Sequence, residues 1–136
     1  MEELIREALR MRGYSYVPYS GFRVGAALLT REGKIYTGCN IENASYTPTN
    51  CAERTAFFKA VSEGERNFQA IAIAGGAGGA AEFDYCPPCG VCRQVMMEFC
   101  DEKTFQVILV KSETEYRVMT LEELFPLGFG PKNVQE

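Results

Sequence analysis

Cys51-Ala52-Glu53-Arg54 and, further along, Pro88-Cys89-Gly90-Val91-Cys92-Arg93-Gln94 are the two stretches from which the chain is best read. Each comes after a loop and opens a predicted helix. Cys89 and Cys92 stand three apart, so on a first helical turn both sulfurs point the same way. A helix N-terminus offers free amide donors and positive potential, and both stabilise thiolates. If Cys51 heads a parallel neighbouring helix, three thiolates converge on one point.

The elements around these stretches follow from periodicity and punctuation. The helix opening at Cys51 carries Ala56, Phe57, Ala60 and Val61 and stops at Gly64. The second runs from Gly90 to about Cys100, after Pro87 and Pro88. Leu4, Ile5, Ala8, Leu9 and Met11 fall near helical spacing over residues 2–12, and Gly13 ends that helix. Phe22–Thr30 and Ile35–Cys39 read as strands joined by a hairpin turn at Arg31-Glu32-Gly33-Lys34. Residues 40–50 are polar and irregular. Further strands are expected over residues 68–74, before the glycine-rich run Gly75 to Gly79, and over residues 105–110 and 116–119. Thr120 with Glu123 carries a capping-box signature for a short helix, and the tail after Pro126 is expected to be loosely held. Helix, hairpin, then alternating helix and strand implies an α/β fold, a mixed sheet with helices on both faces. At 136 residues the chain has enough sequence for one core and too little for two, so a single domain over 1–136 is expected.

Composition narrows the chemistry. There are six cysteines and no histidine. Imidazole catalysis and a Ser-His-Asp triad are therefore excluded, and any transition-metal site must use thiolates and carboxylates. The opening Met1-Glu2-Glu3-Leu4-Ile5-Arg6 does not look like a secretory signal, so a cytoplasmic protein with free, metal-bound or catalytic thiols is expected. Lys plus Arg number 14 against 18 Asp plus Glu, a formal charge of -4, which argues against a nucleic-acid partner. No apolar run approaches the roughly 18 residues of a membrane span.

Three cysteine ligands leave the fourth tetrahedral position of a zinc ion open, as in catalytic sites. Glu53, two residues beyond Cys51, can reach that position without competing as a ligand. A carboxyl there can take a proton from a metal-activated water and deliver it onward. Other readings stand beside this one. Cys39 and Cys100 read as small buried hydrophobes. Cys86 with the other three could close a structural four-cysteine zinc site in a non-enzymatic interaction domain, which leaves Glu53 unexplained. Cys89-Gly90-Val91-Cys92 alone resembles a thioredoxin-type redox pair, which needs neither Cys51 nor Glu53. Gly76-Ala77-Gly78-Gly79-Ala80-Ala81 only weakly imitates a dinucleotide fingerprint, because Pro87 and Pro88 follow soon after and a helix must open there; a flexible loop is the better reading.

Four motifs in order carry a family resemblance: Tyr19-Ser20-Gly21-Phe22-Arg23-Val24-Gly25-Ala26-Ala27-Leu28, Gly38-Cys39-Asn40-Ile41-Glu42-Asn43-Ala44-Ser45-Tyr46, Cys51-Ala52-Glu53-Arg54 and Pro88-Cys89-Gly90-Val91-Cys92-Arg93-Gln94. A Cys- or His-x-Glu with Pro-Cys-x-x-Cys is the zinc motif of nucleobase deaminases at large. All four together resemble the cytidine deaminase family in its small homotetrameric form, over nearly the whole chain. The resemblance implies a three-layer α/β/α sandwich around a five-stranded mixed sheet. It implies hydrolysis of cytidine and deoxycytidine to uridine and deoxyuridine with release of ammonia, a pyrimidine-salvage reaction. Cys51, Cys89 and Cys92 would hold one zinc per subunit and Glu53 would shuttle protons. Asn40 and Glu42 would bind the sugar 3′-hydroxyl, Phe22 would pack on the base, and the backbone of Ala52 would read the pyrimidine edge. Phe129, placed through a Pro-x-x-Phe match at Pro126, would stack in a neighbouring subunit's site.

Three thiolates on a divalent ion leave about -1 charge and weaken the metal as a Lewis acid. Arg54 and Arg93 directly follow Glu53 and Cys92, and hydrogen bonds from them to ligand sulfurs would restore acidity. Two positions depart from the family pattern. Pro87 stands where Ser or Thr is usual; if that position offers a backbone carbonyl to the leaving ammonia, proline preserves the acceptor while stiffening the loop, and Cys86 is unusual. A deaminase of another cytosine-bearing molecule, such as the blasticidin S type, shares the zinc motifs but replaces the sugar-reading pair. Asn40 with Glu42 favours a nucleoside.

Overall fold

In the computed structural model, which describes residues 1–78 and 83–134, strand alternation gives the sheet two apolar faces, one of them rich in alanine. Strands β1 (Phe22–Thr30) and β2 (Ile35–Cys39) form the expected hairpin, with Gly33 at φ +95° in its turn. With β3 (Phe68–Ala77), β4 (Gln106–Val110) and β5 (Tyr116–Thr120) they make one five-stranded sheet in the order β2-β1-β3-β4-β5. Only the β3–β4 pair is parallel, so the sheet is mixed.

Because successive side chains face opposite ways, Val24, Leu28, Ile71, Ile73, Val107 and Leu109 share one face. They pack there under α2 (Ala52–Ser62) and α3 (Gly90–Phe99), against Phe57 and Met96. Ala27, Ala70, Ala72 and Ala74 lie on the opposite face, where their short side chains let α1 (Glu2–Met11) settle closely through Leu4, Ile5 and Ala8. The result is the expected three-layer α/β/α sandwich.

Two expectations are corrected. The third strand continues through Gly75 and Gly76 to Ala77 instead of ending at Ala74. Glycine is needed in that strand for close approach. A Cβ at Gly75 would fall 2.9 Å from Cys86 Sγ, and one at Gly76 would collide with the Cβ of Phe83. The dinucleotide-like run therefore begins inside a strand, and the loop expected over its later residues, 79–81, lies outside the described residues. The described part of the tail after Pro126, residues 127–134, is held, not loose. Gln94 Nε2 donates to the Phe129 carbonyl at 2.7 Å, Lys132 pairs with Glu102 at 2.6 Å, and Gly128 packs against Met97 and Phe125. Helix α4 (Leu121–Leu124) carries the full capping box between Thr120 and Glu123.

Candidate active site

The two cysteine stretches become the N-termini of α2 and α3, and those ends meet. Cys51 and Cys89 are the N-cap residues, each with extended backbone that turns its sulfur across the helix mouth. Close backbone approach sets the position of α2. A Cβ on Gly38 of β2 would strike the Ala52 carbonyl and lie 2.7 Å from the Ala56 nitrogen, so only glycine lets the first turn sit there. The segment leading to Cys89 is laid over Gly75 and Gly76. There the Arg12 guanidinium covers the Phe83 ring at 4.2 Å and donates to the Gly76 carbonyl at 3.2 Å.

The sulfurs of Cys51 and Cys89 are 3.6 Å apart, those of Cys89 and Cys92 3.3 Å, and all three lie within 4.8 Å of one another. Zinc–thiolate bonds at tetrahedral angles put sulfurs about 3.8 Å apart, so the cluster fits a zinc ion with little adjustment. Among the described residues these three alone form such a cluster. Cys86 stays outside it, so the closed four-cysteine centre is not assembled. Its thiol is packed toward Gly75 and Val24, and burial pushes its pKa up to about 11.

Hydrogen bonding with Cys92 and a contact from Arg54 Nη2 at 3.2 Å draw the Cys51 thiol well below its ordinary range. The proton they displace is retained at Cys92, whose thiol is correspondingly raised. Arg54 therefore donates to one sulfur of the cluster. Its Nε is buried and unpartnered among the described residues. Arg93 departs from the same expectation. Its guanidinium donates to the Pro88 carbonyl at 2.7 Å and to the Leu124 carbonyl, so it fixes the backbone before Cys89 and ties it to α4.

Glu53 is 4% exposed, on the first turn of α2. Burial, and secondarily the charge of Cys51, raise its carboxyl to about 7, even though its own backbone amide opposes the shift. Glu53, Ala52, Asn40 and Pro87 all line one recess of about 160 Å³ beside Cys51 and Cys89. Thr49 lines that recess and also a neighbouring hollow of about 430 Å³ walled by Glu42, Ser20 and Tyr19. Asn40 spans the start of β1, accepting from the Val24 amide at 2.9 Å and donating to the Phe22 carbonyl at 2.8 Å. Phe22 is 43% exposed at that strand end. Phe129 is also exposed, on the tail over α3, and does not line the recess of its own chain.

The family model for the "cytidine and deoxycytidylate deaminase zinc-binding region" matches residues 1–108. The chain belongs to this deaminase family. It is 47% identical to a cytidine deaminase of Sporosarcina psychrophila over 98% of this chain and 94% of that one. It is 48% identical to the cytidine deaminase of Halalkalibacterium halodurans, over 98% of this chain and 96% of that one. Among solved structures, the cytidine deaminase of Burkholderia pseudomallei superposes with a TM-score of 0.84 at 45% identity, covering 93% of this chain and 97% of that one. That of Mycobacterium tuberculosis superposes with a TM-score of 0.76 at 35% identity, covering 94% and 95%. Ser20 stands in the first of the four motifs, ahead of Gly21 at φ +69°, but the sequence assigns it no role of its own; Thr49 and Arg12 act by spatial contact and carry no periodic signal.

Proposed function

We propose that this chain hydrolyses cytidine and deoxycytidine to uridine and deoxyuridine, releasing ammonia, as a cytoplasmic enzyme of pyrimidine salvage. The observation that carries this reading is a buried carboxyl, Glu53, beside a three-thiol cluster that opens onto a recess. Zinc held by Cys51, Cys89 and Cys92 supplies Lewis acidity that makes water nucleophilic at neutral pH. Glu53, with its proton affinity raised toward neutrality, takes a proton from the attacking water and gives it to ring N3 as oxygen bonds to C4. It then passes the remaining hydroxyl proton to the amino group, the C4–N bond breaks, and ammonia leaves. One water enters and one ammonia departs. The Ala52 backbone reads the pyrimidine edge, the Phe22 ring packs on the base, and Asn40 and Glu42 bind the sugar hydroxyl.

The 136 residues act as one domain, and, as the family resemblance implies, four copies assemble with shared sites. Phe129 supports this: its main chain is pinned by Gln94 while the residue is 59% exposed, available to a neighbouring subunit. The hollow beside the recess, where Glu42 and Ser20 offer hydrogen-bonding groups, favours a nucleoside over a base-only or blasticidin-like substrate. The decisive assay follows ultraviolet absorbance of cytidine with zinc measured on the same sample. Glu53→Gln is expected to keep zinc and lower kcat by about 10³-fold or more. Full activity in that variant would refute the mechanism.

A further inference from the structure

Glu42 does not stand free in its hollow. Its Oε1 accepts the backbone amides of Tyr19 at 3.0 Å and Ser20 at 3.1 Å, and its Oε2 accepts the hydroxyl of Ser20. The same Ser20 oxygen accepts the backbone amide of Phe22 at 3.0 Å. One hydroxyl thus joins a carboxylate on the segment after β2 to the first residue of β1, the residue whose ring packs on the base. The turn that places it is closed by the Gly21 amide on the Val17 carbonyl at 3.1 Å, and its positive φ suits glycine.

We infer that Ser20 is a positioning residue for substrate binding, holding the sugar-facing carboxylate of Glu42 and the base-facing ring of Phe22 in one fixed relation. The inference rests on the nucleoside reading of the site. A carboxylate oxygen has about two acceptor directions. Oε1 is filled by two amides, whereas Oε2 has one taken by Ser20 and one left for a sugar hydroxyl. The hydroxyl of Ser20 therefore fixes the direction in which the remaining lone pair points. Hydrogen bonding from Ser20 also holds the Glu42 carboxyl below the ordinary carboxylate range, so it is ionised and can only accept. Chemistry at C4 takes place in the adjoining recess and does not involve Ser20, so its loss weakens binding while leaving the proton transfers of Glu53 in place. A purely structural turn residue would affect both or neither.

The test compares the zinc-loaded parent with Ser20→Ala and Ser20→Thr on cytidine and on its 2′-, 3′- and 5′-deoxy analogues. In Ser20→Ala, KM for cytidine is expected to rise about tenfold, the value of one hydrogen bond to a charged group, with kcat within about twofold of the parent. Ser20→Thr, which restores the hydroxyl, is expected to recover most of that loss. The rise should vanish on the one analogue that lacks the hydroxyl bound by Glu42. An unchanged KM in Ser20→Ala, an equal loss in kcat, or the same rise on all three analogues would overturn the inference while leaving the deaminase reading intact. A parent protein inactive on every one of these nucleosides would instead remove the deaminase reading, and this inference with it.

Discussion

At the scale of single residues, the site works by unequal treatment of like groups. Four thiols lie near one recess, yet one is drawn down, one is raised through the first, and Cys86 is raised by burial outside the cluster. Cys86→Ser is therefore expected to retain one zinc per chain and parental activity, checked by metal analysis and cytidine turnover. Arg54 is the cation in contact with the Cys51 sulfur. Its removal raises the thiol's proton affinity, so protons compete with zinc at higher pH. Arg54→Ala should keep zinc at pH near 7 and lower kcat about tenfold. Its acid-release midpoint, followed with a chromogenic chelator, should lie above that of the parent; an unshifted midpoint with unchanged turnover would remove Arg54 from the metal's chemistry. Arg54 and Arg93 looked equivalent in sequence, each directly following a functional residue. Their surroundings separate them, because Arg54 meets the Cys51 sulfur whereas Arg93 donates to two backbone carbonyls.

At the scale of elements, local signals were strong where the physics is local. The hairpin at Gly33, the opening of both helices at their cysteines, and the capping box of Thr120 with Glu123 each depend on residues within a few positions. The strand through Gly75 and Gly76 was not legible, because the reason for those glycines is a segment that crosses them from elsewhere in the fold. Two substitutions distinguish elements that place the site from elements that do not. Gly38→Ala forces the β2 backbone away from the first turn of α2 and should cost about 2–3 kcal/mol, the overpacking range. It should lower both Tm and zinc affinity, measured by thermal melts with and without a competing chelator. Thr120→Ala removes a cap worth about 1 kcal/mol, and it should lower Tm while leaving zinc content and kcat at parental values.

At the scale of the whole molecule, the role proposed for Phe129 requires more than one chain. It is exposed and absent from its own recess. Sedimentation should give a particle of about four times 15.2 kDa. Phe129→Ala should keep zinc and assembly while lowering kcat/KM about tenfold, the scale of one lost aromatic contact. A fully active monomer would assign the ring no catalytic environment. The sequence by itself determined the donor set, the carboxyl beside it and the helix starts that carry them. Those features follow from residue type and spacings of one turn or less, where geometry is fixed by the backbone. Tertiary structure alone decided that Cys86 stands aside, that Arg93 serves the backbone, that the tail is pinned to α3, and that Ser20 bridges two segments. Each of those outcomes is a competition between partners distant in the chain, and only packing determines which partner is near enough to win.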